Sequence, residues 1–99
     1  MSFNIEQNGD QATIAIFGLM DADFNYEPLK KKRDQLIEGG CKKITFDFAK
    51  VTFIGSRGTG FLLLTSKAMG NEGSVVVINA KKEIANLFQA IKLDKLFFM

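Results

Sequence analysis

The sequence predicts a mixed α/β fold in which a largely parallel β-sheet packs against helices. Strand-like and helix-like segments alternate along most of the chain in the order β-β-α-β-α-β-α-β, and only a hairpin at the start breaks the alternation. The chain has 99 residues, of which 46% are hydrophobic. We therefore expect one domain spanning residues 1–99 with a single core.

The first two strands are expected to form the hairpin. Residues 3–7 and 13–17 each place apolar side chains at every second position, which is the period of a half-buried strand. Gly9 and Asp10 lie between them, and this pair is typical of a tight hairpin turn.

A first helix is predicted over residues 27–38. Pro28 suits its first turn, where a missing N–H costs nothing, and Gly39-Gly40 ends it. Its apolar stripe is narrow, and the rest of its surface carries a run of basic residues. Such a run is more often a solvated helix face than a binding site for an acidic partner. The stripe comprises Leu29, Leu36 and Ile37, and the solvated surface carries Lys30, Lys31, Lys32, Arg33 and Glu38.

The middle of the chain predicts a third strand over residues 43–48, which residues 51–54 continue in extended form. A glycine-rich segment, residues 55–60, then opens a second helix over residues 61–69. Because residues 61–64 are all apolar, this helix is expected to be deeply packed on most sides.

The last part of the chain predicts a fourth strand, a third helix and a short final strand. Residues 75–78 are an unbroken β-branched run, which favours an interior parallel strand covered on both faces. Asn79 is a suitable N-cap for a helix over residues 81–91, whose apolar positions repeat at i, i+3, i+4 and i+7. Residues 96–98 are expected to form the final strand.

The composition excludes several kinds of chemistry. The chain has no histidine, so Ser-His-Asp and Cys-His nucleophiles and imidazole metal sites cannot form within it. A formal charge of +2 gives no reason to expect nucleic acid as a partner. The single cysteine, Cys41, cannot form an internal disulfide, so a cytoplasmic location is expected. No apolar run is long enough to cross a bilayer, and we expect no membrane insertion.

The glycine-rich segment is the most informative local feature. Gly55 and Gly60 have the spacing of a phosphate-binding P-loop, but Phe61 and Leu62 stand where that loop requires lysine and a hydroxyl residue. Nucleotide hydrolysis is therefore not expected here. Two compatible interpretations remain. In the first, the glycines allow a tight turn and close approach of backbones. In the second, the N–H groups at the helix start form an anion site or a partner-docking surface.

Three carboxylates suggest a second possibility. Asp21, Asp23 and Asp47 lie near predicted strand ends, where they could converge on Mg²⁺ as in a phosphoacceptor domain. We favour the alternative, in which Asp23 caps the connection into the first helix and Asp47 is a surface or turn residue.

Residues 43–64, KITFDFAKVTFIGSRGTGFLLL, resemble the central block of STAS domains, in which a strand ending approximately DLSGVTFIDSSGLG precedes an apolar helix. Two shorter segments agree. Residues 18–21 resemble the G-x-L-D after the family's second strand, and residues 93–97 resemble its GLDKLF ending. The resemblance covers essentially the whole chain, and the order of elements agrees.

The resemblance implies a STAS-like mixed sheet with helices mainly on one face, in a non-enzymatic protein-binding module without a cofactor. In the anti-sigma factor antagonists of this family, the loop and the start of the second helix dock onto an anti-sigma factor that is usually also a serine kinase. The kinase phosphorylates a hydroxyl residue there, and the added charge of roughly −1.5 to −2 breaks the complex. The chain itself is expected to be a monomer or weak dimer. The docking residues implied here are Asp21, Asp23, Gly55, Ser56, Arg57, Gly58 and Thr59.

The sequence departs from the family pattern where this switch operates. Gly55 replaces the motif's aspartate and Arg57 replaces its phosphoacceptor; an arginine cannot accept phosphate and carries a fixed positive charge. Three hypotheses follow. Arg57 pairs constitutively with an acidic or phosphorylated group on the partner, or phosphorylation has moved to Ser56 or Thr59. In the third, the protein acts outside sigma control, for example as an accessory subunit of a lipid-transport ATPase.

Overall fold

The computed structural model describes residues 3–93 and 96–97, which form four strands and three helices. The predicted mixed α/β class is confirmed, and the elements up to the third helix follow the predicted order. In chain order they are β1 (Phe3–Asn8), β2 (Gln11–Met20), α1 (Glu27–Glu38), β3 (Lys43–Ile54), α2 (Ser56–Met69), β4 (Ser74–Ile78) and α3 (Lys82–Ala90).

The four strands form one sheet in the order β1-β2-β3-β4. The hairpin makes β1 and β2 antiparallel, whereas β2–β3 and β3–β4 are parallel. The sheet is therefore mixed and largely parallel, as predicted. Among the strands that the structure describes, β4 lies at the edge of the sheet rather than in its interior, and Ile78 at its end is 39% exposed. A β-branched run shows that a strand is apolar on both faces, but it does not show how many neighbours the strand has.

All three helices cover the same face of the sheet. Phe46 and Phe48, which point to one side of β3, contact α2 through Phe61 and α3 through Phe88, with ring centroids 6.0 and 6.5 Å apart. α1 joins the same core through Leu29, which is fully buried. None of the described helices covers the opposite face of the sheet, which leaves four large apolar side chains partly exposed: Phe17, Leu19, Phe53 and Ile78.

Arg33 does not lie on the solvated face of α1, as predicted, but is only 5% exposed. Its Nη1 donates to Thr65 Oγ1 at 3.1 Å, and its Nε and Nη2 donate to Asp34 Oδ1 at 3.0 and 2.9 Å. The guanidinium also lies 5.1 Å from the centre of the Phe61 ring. Burial is tolerated because these contacts satisfy the charged group, and every buried side-chain nitrogen and oxygen described has a partner.

Three further details of the prediction were wrong. α2 is not packed on most sides, since Leu63 is 39% and Leu64 61% exposed. Asn79 does not cap α3, whose N-cap is Lys81; Asn79 instead adopts a left-handed backbone with φ of 59°. Leu96 and Phe97 lie in a turn rather than in a strand, and Phe98 falls outside the described residues.

Candidate functional site

The glycine-rich segment forms the first turns of α2 rather than a loop before it. The helix begins at Ser56, and Gly55 is its N-cap in an extended conformation. Gly55 donates its N–H to the carbonyl of Met20 at 3.0 Å, and Met20 pairs with Ile54 across β2 and β3. The start of α2 is therefore held at the carboxyl ends of two parallel strands, next to the connection that leaves β2.

Gly58 makes this close approach possible. A Cβ atom on Gly58 would lie 2.7 Å from Ile54 Cγ1 and 3.0 Å from the Met20 carbonyl oxygen, so no larger residue fits without movement. The interpretation that the glycines allow backbones to approach closely is confirmed at this position. Gly60, by contrast, has open space around its Cα, and a Cβ there would meet nothing within 4 Å.

Arg57 lies exposed on the first turn of α2 and reaches across to the connection between β2 and α1. Its Nη1 donates to the carbonyl oxygen of Ala22 at 3.0 Å. Its guanidinium carbon lies 5.9 Å from the centre of the Tyr26 ring, within the range of a cation–π contact. Burial raises the pKa of Tyr26 above its usual value, while the Arg57 charge opposes that rise and Asp21 adds to it.

Asp21, rather than Asp23, stabilises the turn between β2 and α1. Asp21 Oδ1 accepts hydrogen bonds from the N–H groups of Asp23 and Phe24 at 3.0 and 3.1 Å. This is the local side-chain-to-backbone pattern typical of aspartate in turns. Asp23 itself is exposed, so the role that we assigned to it in this connection belongs to Asp21, two residues earlier.

Asp47 does not meet the other two aspartates. β3 runs without a break from Lys43 to Ile54, so Asp47 lies within the strand, opposite Ala15. Asp21 is six positions beyond Ala15, which at the rise of a β-strand corresponds to about 20 Å. Asp47 Oδ1 accepts from the Ala49 N–H at 3.0 Å and from Asn79 Nδ2 at 3.1 Å.

These positions disfavour the magnesium hypothesis. Carboxylates that share one Mg²⁺ must lie within a few ångströms of one another, since each oxygen binds at about 2.1 Å. Among the described residues there is no group of three or more Asp, Glu, Cys or His side chains that could hold a metal ion.

The two hydroxyl residues of the first turn of α2 differ in their surroundings. Thr59 Oγ1 donates to the carbonyl of Gly55 at 3.0 Å, and the threonine is only partly exposed. Ser56 is exposed, and its hydroxyl makes no hydrogen bond to any residue that the structure describes. Ser56 is therefore the hydroxyl more accessible to an enzyme.

Sequence reasoning missed the apolar side chains that flank the start of α2. On one side, Leu19 and Phe53 are neighbours across β2 and β3 and are 53% and 49% exposed. On the other side, a shallow cavity of about 460 Å³ lies between α2 and α3. Its apolar walls include Ile54, Leu63, Leu87 and Ile91. Because residues 51–54 are predicted to be extended, strand alternation from an inward-facing Ile54 is the signal that could have placed Phe53 on the exposed face.

Comparison with known proteins finds similarity in both sequence and fold. The family model for the STAS domain matches residues 2–99. Among solved structures, an anti-sigma factor antagonist from Mycobacterium paratuberculosis superposes with a TM-score of 0.80 at 21% identity, covering 96% of this chain and 80% of that one. The anti-sigma factor antagonist SpoIIAA in its unphosphorylated form gives a TM-score of 0.74 at 22% identity, covering 88% of this chain and 81% of that one.

SpoIIAA from Bacillus in its phosphorylated form is similar to the same extent, with a TM-score of 0.77 at 22% identity and coverage of 95% and 86%. At these identities the likeness to solved structures concerns the fold. Within the described part of the chain, no helix combines the length and apolar character needed to span a bilayer.

Proposed function

The chain belongs to the STAS domain family, and from that premise we propose that it is a non-catalytic, cytoplasmic regulator of the anti-sigma factor antagonist type. It acts by docking onto an anti-sigma factor that is also a serine kinase. The observation that carries this proposal is the exposed first turn of α2, where the family's characteristic block leaves Ser56 and Arg57 open to a partner. Asp21, Asp23 and residues 55–59 together are called the docking surface below.

The chemistry of this surface suits a protein partner rather than a small substrate. Arg57 supplies a fixed cation, and Leu19 and Phe53 expose apolar side chains at the ends of β2 and β3, near the start of α2. A protein interface typically combines apolar contacts with a few well-placed charges, and arginine is common at its centre. The partner therefore presents an acidic or phosphorylated group to Arg57, with apolar side chains around it.

Arg57 changes how such a complex is regulated. The residue cannot accept phosphate, so a switch at this position is lost. If regulation persists, it acts through Ser56, the accessible hydroxyl next to it. A phosphate there adds a charge of roughly −1.5 to −2 at the helix N-terminus, where the free domain tolerates it well. The phosphate also competes for the Arg57 guanidinium, which removes the cation from the partner's acidic group.

Isothermal titration calorimetry with purified anti-sigma factor kinases from the same genome tests the docking surface. We expect Arg57→Glu to weaken binding by about tenfold or more, because the charge that meets the partner's acidic group is reversed. Lys67→Glu is the matched control, since it makes the same charge change on the exposed last turn of α2. Equal affinity of the Arg57→Glu variant and the unmodified protein would contradict the proposal.

Mass spectrometry after incubation with the cognate kinase and ATP tests the regulatory site. We expect one phosphate on Ser56, and none in the Ser56→Ala variant. A phosphate on Thr59 would show that the hydrogen bond to Gly55 does not protect that hydroxyl. An unmodified chain, with a kinase that is active on another substrate, would show that docking here is constitutive.

A further inference from the structure

The two edges of the sheet differ in how they are covered. At the β4 edge, the N–H of Val77 donates to the carbonyl of Phe97 at 3.1 Å, so Phe97 covers part of that edge. β1 forms the other edge, and among the described residues no backbone hydrogen bond reaches its outer side. β1 also lacks proline, lysine and a bulge, which are devices that usually protect an edge from another strand.

The hairpin determines which backbone groups of β1 point outward. Asn8 pairs with Gln11 across the two-residue turn, in which Gly9 has φ of 64°. The residues that close such a turn exchange both of their hydrogen bonds, and bonded pairs then alternate along the ladder. The even-numbered residues of β1 therefore bond to β2. The outward N–H and C=O groups belong to Phe3, Ile5 and Gln7.

These outward residues also line a groove. It lies between β1 and α1 and has a volume of about 470 Å³, and its α1 wall includes Lys32, Gln35 and Leu36. Ile5 is only half-buried there. Because side chains alternate along a strand, a further strand paired with β1 would place every second side chain beside Ile5, under α1.

We propose that β1 pairs with β1 of a second copy of this chain, antiparallel and centred on Ile5. In this register Ile5 faces Ile5 of the second copy, and Phe3 faces Gln7. Each outward N–H and C=O group then has a backbone partner, and the two half-buried Ile5 side chains cover each other. The contact is two-fold symmetric and joins the two sheets into one continuous sheet.

The polar side chains of β1 make the strand complementary to a second copy of itself in this register. Glu6 is the one charged residue of β1, and it is exposed on the face without helices. In the register centred on Ile5, Glu6 faces Asn4 of the second copy, whose amide can donate to the carboxylate. A register centred on Glu6 would set two carboxylates directly opposite each other, which is destabilising. A register centred on Asn4 would leave Gln7 without a partner in the described strand.

The proposal does not depend on the proposed function. No residue of the docking surface lines the groove between β1 and α1. A dimer through β1 could therefore form whether or not the chain binds an anti-sigma factor.

Sedimentation equilibrium on the full chain tests the proposal. We expect a concentration-dependent dimer with a Kd below about 1 mM, as suits a small strand interface. Asn4→Lys should tighten the dimer by roughly threefold to tenfold, because two new lysine–Glu6 pairs form across the two-fold axis. Asn4→Glu should weaken it by a similar factor, because two pairs of like charges form instead. Asn4 is exposed, so neither change disturbs the folded monomer.

A backbone variant tests the edge itself. Gln7→Pro removes one outward N–H and should weaken the dimer by roughly fivefold or more, whereas Gln7→Ala keeps the N–H and should leave it nearly unchanged. Circular dichroism establishes that each variant is folded. A chain that remains monomeric up to about 1 mM would overturn the proposal. So would a dimer whose affinity does not move in opposite directions with Asn4→Lys and Asn4→Glu.

Discussion

The guanidinium of Arg57 donates a hydrogen bond of 3.0 Å to the carbonyl oxygen of Ala22, which ties the first turn of α2 to the connection between β2 and α1. The same guanidinium stands over the ring of Tyr26, at 5.9 Å from its centre. A partner that takes the Arg57 charge must therefore compete with contacts that the chain makes within itself. This relationship also makes Tyr26 a reporter of the docking surface.

Arg57→Gln is expected to raise the pKa of Tyr26 further. Burial raises this pKa above 10.0, and the positive charge of Arg57 is what opposes the rise. Ultraviolet absorbance of the phenolate measures it without ambiguity, because Tyr26 is the one tyrosine and the chain has no tryptophan. Lys50→Gln, which removes a cation that does not influence Tyr26, is the control. A lower Tyr26 pKa in the Arg57→Gln variant would contradict the contact.

The direction of the Tyr26 shift also predicts how stability depends on pH. The folded state holds the phenolic proton more tightly than the unfolded chain does, so this contribution is fully present below the unfolded pKa of about 10. It is lost as the pH rises through the folded pKa of Tyr26. Tyr26→Phe cannot ionise, and we expect its free energy of unfolding to fall less steeply over this alkaline range. Urea denaturation measures the free energy of unfolding of both proteins. If this free energy fell equally steeply with pH in both, the alkaline loss of stability would not come from Tyr26.

Gly58→Ala is expected to destabilise the protein by about 1–3 kcal/mol, since its Cβ would overlap Ile54 and the Met20 carbonyl. Gly60→Ala is the matched control two residues along the same helix. Nothing lies within 4 Å of a Cβ there, and replacing a helical glycine by alanine should stabilise the protein by up to about 1 kcal/mol. Chemical denaturation measures both. If both substitutions changed the free energy of unfolding in the same direction, the close approach at Gly58 would not control packing.

Thr65→Val is expected to cost about 1–3 kcal/mol, because it leaves an N–H group of the buried Arg33 without its acceptor. Thr52→Val, at an exposed position on β3, should have little effect. In a double-mutant cycle, Arg33→Met combined with Thr65→Val should cost less than the sum of the two single changes. Strict additivity of the unfolding free energies would mean that the two side chains do not interact.

Asn79→Ala is expected to be less stable than Asn79→Gly by about 1 kcal/mol, because the residue has φ of 59° and alanine tolerates that conformation poorly. Both variants lose the hydrogen bond to Asp47, so their difference isolates the backbone term. Asn71, in the turn before β4, does not have a positive φ and serves as the control position, where glycine should not be favoured. Equal melting temperatures of the two Asn79 variants would contradict this account.

The residues that only the structure revealed are those whose role depends on distant parts of the chain. A helical projection places Arg33 on the same face of α1 as Leu29 and Leu36, but nothing local shows that Thr65 and Phe61 will surround it. The glycines at positions 55–60 resemble a turn locally, yet the helix begins at Ser56, and it is Gly58 that packs closely on Met20 and Ile54. Asp47 and Asp21 do not converge, in line with the favoured interpretation, because Asp47 lies within β3 rather than at its end.

The sequence by itself determined the mixed α/β class, the bounds of α1, the β1–β2 hairpin and the family of the domain. These follow from periodicity, turn residues and short motifs, all of which act between residues close together in the chain. The tertiary structure decided which sheet edges are covered, which face of the sheet stays open, and what Arg33 and Arg57 contact. Those features depend on strand order and on packing between residues far apart in sequence, and no local pattern encodes them.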